Sequence, residues 1–186
     1  DPAPRVRAQL AFSLGEWKSP IAGRLLGHLA KRSSNEPDLQ TAITSSATGH
    51  SVSILKELIS DDDIGAHGHL IGNLLALAGA EASAGEIKKL LLNLTAKVDK
   101  LETWRLTALS ALVENAHKRK LSKSELGLDN ELLVSLNLIV ENNSGKTGDR
   151  VAALRLLSNI ADDAKQVRVI LLKQLGALSP TPLFDL

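Results

Sequence analysis

The stretch Ser19-Pro-Ile-Ala-Gly-Arg-Leu-Leu-Gly-His-Leu-Ala-Lys-Arg32 decides the fold. Ser19-Pro20 opens a helix, and Ile21, Leu25, Leu26 and Leu29 return at the spacing of one helical face, which the pattern predicts to be buried. The same grammar runs in both directions from here. Upstream, Val6, Leu10 and Leu14 make a stripe, with Pro4 suited to a first turn and Gly15 to an exit. Downstream, Pro37-Asp38 opens a third helix with Leu39, Ala42 and Ile43, ending near Gly49. His50–Ser60 is a fourth, with Val52, Leu55 and Ile59. Asp61-Asp62-Asp63 is read as the cap of a fifth that begins near Ile64. Ser83 and Glu86 form a capping-box pattern before a leucine-rich sixth. Thr103–Lys118, Asp129–Asn142 and Asp149–Ala161 are the seventh to ninth. Asp162-Asp163 caps a tenth that stops at Gly176. No window alternates strictly enough for a strand.

Composition agrees. The 186 residues include 36 leucines and 22 alanines, both strong helix formers. Aromatics are 2%: Phe12, Trp17, Trp104 and Phe184. The length fits a single domain, residues 1–186. The chain has no cysteine, which excludes a disulfide, a thiol nucleophile, a zinc-thiolate site and a c-type haem attachment within these residues. Lys+Arg is 22 and Asp+Glu is 21, without the basic excess of a nucleic-acid binder. The longest apolar stretch, Leu70–Ala80, is interrupted by Gly72, Asn73 and Gly79 and is shorter than the ~20 residues that span a bilayer. The start, Asp1-Pro2-Ala3-Pro4, has no signal-peptide pattern and no initiator Met, and is read as the start of an excised or processed segment.

Ten helices in 186 residues give about 37 residues per pair, near the ~40–47 of HEAT or armadillo repeats. A weak self-similarity supports pairing. Pro4-Arg5-Val6-Arg7 leads into Leu10-Ala11, Trp104-Arg105 into Ala108 and Leu112, and Asp149-Arg150 into Ala152-Ala153 and Leu156. The small residues suit close helix approach. The polar linker Arg119–Leu128 is the place where the stack would be interrupted. The expectation is an all-α fold, an α-solenoid of about five HEAT-like helix pairs in an armadillo-type superhelix.

Three blocks carry a family resemblance: Asp1–Gly15 (DPAPRVRAQLAFSLG), Asp38–Ser46 (DLQTAITSS) and Leu175–Pro182 (LGALSPTP). They resemble the HEAT-repeat region of large membrane-bound dehydrogenases or haem-binding proteins of planctomycete and verrucomicrobia type. Leu39 stands where that family has a tryptophan. The resemblance implies a parent with a β-propeller before the repeats and a c-type cytochrome domain after them. It also implies an extracytoplasmic or periplasmic location, with haem in the parent and no cofactor in this segment.

The residues that could carry chemistry are few. Gly145-Lys146-Thr147 has the end of a P-loop, but Val140 stands where its first glycine belongs. His67 and His69 are two apart and point to different sides of a helix. No His-Glu-x-x-His pattern exists, and the Asp61–Asp63 triplet lacks the spacing of a calcium loop. The sequence therefore nominates no catalytic residue and no metal ligand. Two basic groups are the candidate interaction residues: Arg24, His28, Lys31 and Arg32 on the second helix, and Lys118, Arg119 and Lys120, next to His117, after the seventh. The competing reading of both groups is plain solvent exposure, the second as a solvated helix end where cations complement the dipole. Trp17 and Trp104 are read as packing anchors. The expected function is a non-catalytic module that binds a protein or neighbouring domains of its parent. The alternatives are a HEAT-like DNA glycosylase, disfavoured by balanced charge and four aromatics, and a bilin-lyase-like HEAT protein.

Overall fold

The structure, a computed structural model, describes residues 3–33, 35–60, 64–95, 102–128, 130–142 and 145–160. Among them the chain is all-α, with no strand. The elements are α1 (Pro4–Gly15), α2 (Pro20–Lys31), α3 (Pro37–Ser45), α4 (Ser51–Ile59) and a 3-10 turn (Ile64–His67). They continue with α5 (Gly68–Glu81), α6 (Ala84–Thr95), α7 (Thr103–Lys118), α8 (Lys123–Leu126), α9 (Asn130–Glu141) and α10 (Thr147–Ile160). The Asp61–Asp63 cap, the helix after Asp162 and the Leu175–Pro182 block lie outside the described residues.

Local chemistry explains the ends. Prolines stand in the first turns of α1, α2 and α3, where their missing N–H removes no helical bond. Ser19 Oγ accepts from the Ile21 amide as the cap of α2. The capping box before α6 forms as expected: Glu86 reaches the Ser83 amide at 3.0 Å, and the Glu86 amide donates to Ser83 Oγ. These bonds to Ser83 hold the Glu86 carboxyl below the usual carboxylate range. The linker after α7 holds a second box, Ser122 with Glu125, which starts α8; Gly127 ends it in the left-handed region at φ 67°.

The helices pack in two rows. In one, α1 touches α3, α3 touches α5, α5 touches α7 and α7 touches α10. In the other, α2 touches α4, α4 touches α6 and α6 touches α8. Contacts of α1 with α2 and of α4 with α5 tie the rows together, and α9 packs on α10. The buried apolar layer runs between them, through Leu26, Ile43 and Ile54, then Ile71 and Leu74 of α5, and on to Leu109, Leu112 and Leu156. Polar contacts also step along the rows. Arg7 pairs with Glu36 at 2.6 Å, Thr103 donates to Asp149, and Asn159 donates to Ser110 Oγ at 2.9 Å.

One expectation fails in an instructive way. The face of α2 that is buried is Ala22, Gly23, Leu26, Gly27 and Ala30, whereas Ile21 and Leu25 are exposed. On α1, Leu14 is buried but Val6 and Leu10 are exposed. The reason is close approach. A Cβ on Gly23 would lie 2.7 Å from Ser53 Cβ, and one on Gly27 would lie 2.6 Å from Glu57 Cβ. Interaxial distance follows the side chains at the contact, so the small-residue stripe brings α4 close and the large residues turn outward.

Candidate interaction surface

The two basic groups are used differently. In the run after α7, Lys118 pairs with Glu114 at 2.9 Å, one turn back on the same helix. That contact holds the Glu114 carboxyl below its ordinary range. Arg119 reaches across to the end of α5, where Nη1 donates to the Gly79 carbonyl at 3.2 Å and the Ala82 carbonyl at 2.6 Å. Carbonyls at a helix end lack intrahelical donors, so the guanidinium supplies what α5 lacks. Lys120 has φ 64°. Its amide donates to the His117 carbonyl and the Leu121 amide to the Ala116 carbonyl, the paired bonds of a Schellman helix end. Arg119 thus joins α7 to the end of α5, the Lys120 backbone turns the chain out of α7, and Lys118 is paired only within its own helix.

The α2 group splits. Lys31 is half-buried, 3.7 Å from Glu57 and 3.2 Å from Ser60 Oγ, so it ties α2 to α4. Arg24, His28 and Arg32 are exposed, and no ion pair engages them among the described residues. His28 and Arg32 continue the helical stripe of the exposed Ile21 and Leu25, at positions i, i+4, i+7 and i+11. This face points away from α4. α1 also exposes Val6 and Leu10, and the α1–α2 connection exposes Trp17 at 58%. Trp17 is therefore not the packing anchor expected. Trp104 is one: half-buried, its ring packs over Gly68 and its Nε1 donates to Glu102 at 2.7 Å. Neither α1 nor α2 contains an acidic residue.

The other candidates have structural tasks. Gly145-Lys146-Thr147 opens α10, where the Lys146 carbonyl accepts the Asp149 and Arg150 amides. His50 and His67 are buried, and no cluster of three metal-ligating side chains occurs among the described residues. A cleft of about 590 Å³ between the α1–α2 and α3–α4 connections is lined by Lys18, Ser19, Thr48, His50 and Ser53. The nearby N-terminus of α4 is already served by Glu81, which accepts from the Gly49 amide and Ser51 Oγ. No helix among the described residues is long and apolar enough to cross a membrane.

The chain matches no protein-family model, no curated protein and no solved structure.

A second exposed stripe lies on α9, which the sequence reading did not single out. Glu131, Val134, Leu138 and Glu141 share one face; Val134 is 59% and Leu138 65% exposed. The helix NELLVSLNLIVE contains two carboxylates and no basic residue. The absence of basic residues was visible in the sequence. The exposure was not, because its leucines look alike until packing separates them.

Proposed function

We propose that this chain is a HEAT-type α-solenoid segment acting as a non-catalytic scaffold or protein-interaction module of a larger exported oxidoreductase-like protein. The observation that supports it is the packing of successive helices along two rows, α1-α3-α5-α7-α10 and α2-α4-α6-α8. Nearest-neighbour stacking of this kind builds repeat proteins, whose long surfaces serve binding. The outer face of α1 and α2 is the surface available for a partner. It combines exposed Ile21, Leu25 and Trp17 with Arg24, His28 and Arg32. Aromatic and arginine side chains favour such a role, since they dominate interface hot spots. In this reading any haem belongs to the parent, outside these residues, and the segment spaces the parent's other domains.

Small-angle scattering and enzymology on the purified chain test this. The expected result is an elongated helical particle without bound haem or dehydrogenase turnover. Haem uptake or turnover by this chain would overturn the reading.

A further inference from the structure

We propose that the outer face of α1 and α2 docks the α9 stripe of a second copy of this chain, head to tail. The inference deepens the interaction-module reading and rests on it. Three observations carry it. First, each surface has an exposed apolar pair one turn apart on a helix, Ile21 with Leu25 and Val134 with Leu138. Exposed aliphatics aligned along a helix are what helix packing normally covers, and here they lie in two separate places.

Second, the charges are complementary. The first surface carries Arg24, His28 and Arg32 on helices without a carboxylate. The second carries Glu131 and Glu141 on a helix without a cation. No ion pair engages either set among the described residues. Opposite charges around an apolar centre set register and speed encounter.

Third, the docking continues a pattern already present. On its inner side α2 takes a neighbouring helix, α4, and the outer face would take another in the same row. The two surfaces lie on different helices, α2 and α9, and are not self-complementary. Their contact is therefore heterologous, and it builds rings or open filaments rather than a closed two-fold dimer.

Sedimentation velocity on the whole chain from micromolar to millimolar concentration tests this. The wild type should form species larger than a dimer, and salt should weaken them. Leu25→Asp and Leu138→Asp change exposed residues, so both variants should keep the wild-type circular dichroism. Each should weaken self-association at least about tenfold. Mixed, the two variants still hold one intact surface each and should form a 1:1 dimer and nothing larger. A wild type that stays monomeric overturns the proposal, as does self-association that survives either substitution. An elongated, redox-silent monomer would overturn this docking while leaving the scaffold reading standing.

Discussion

The end of α7 and the outer face of α2 look alike in sequence, each a few cations on a helix, yet they do different work. At the end of α7, Lys118 is paired within its helix, Arg119 serves the carbonyls of α5, and the backbone of Lys120, not its ammonium, makes the turn. On α2 only Lys31 is engaged, while Arg24, His28 and Arg32 remain exposed beside exposed aliphatics. A cation serves structure when unsatisfied carbonyls or a carboxylate lie within its reach. It is left for a partner when the neighbouring surface offers neither.

The largest test of this contrast is at the α5–α7 seam that Arg119 completes. A Cβ at Gly79 would collide with the Leu112 backbone carbonyl, which cannot move aside without shifting α7. Gly79→Val should cost about 3 kcal/mol in urea unfolding. Arg119→Ala should cost about 1–3 kcal/mol by the same measurement, because it removes two charge-assisted hydrogen bonds. Arg32→Ala on α2 should change stability by less than about 0.5 kcal/mol. Equal losses at Arg119 and Arg32 would erase the contrast. Lys120→Gly should raise stability by roughly 0.5 kcal/mol, since glycine occupies the left-handed region without the Cβ penalty.

The smallest effect concerns His117 beside the same junction. Burial, with a contribution from Lys123, holds its pKa below the ordinary 6.5. The unfolded chain therefore takes up this proton more readily than the folded one. The stability involved is present above pH 6.5 and is lost as pH falls through the depressed value. His117→Gln should flatten the pH dependence of unfolding below pH 6.5, and an unchanged slope would contradict the assignment.

Much of the fold was legible. Thr103–Lys118 forms as read, the Ser83–Glu86 box closes, and the Leu39, Ala42, Ile43 face is buried. What misled was residue size. Hydrophobic periodicity marks the large residues of α2, but Gly23 and Gly27 decide where α4 sits, and Ile21 and Leu25 are displaced outward. The Gly-x-x-x-Gly spacing was there to be seen, as was Ser122-x-x-Glu125, the same signal that located α6. The two basic groups could not be told apart in sequence. Their difference depends on the carbonyls of Gly79 and Ala82, forty and thirty-seven residues from Arg119.

Underlying all of this is the claim that each helix is held by its neighbours in the row. Hydrogen exchange on Gly27→Leu tests it most directly, because the added side chain strikes Glu57 and separates α2 from α4. Amide protection should be lost in α1 to α4 and retained in α7 and α10, as expected where coupling runs only between neighbours. Uniform loss of protection from α1 through α10 would contradict it.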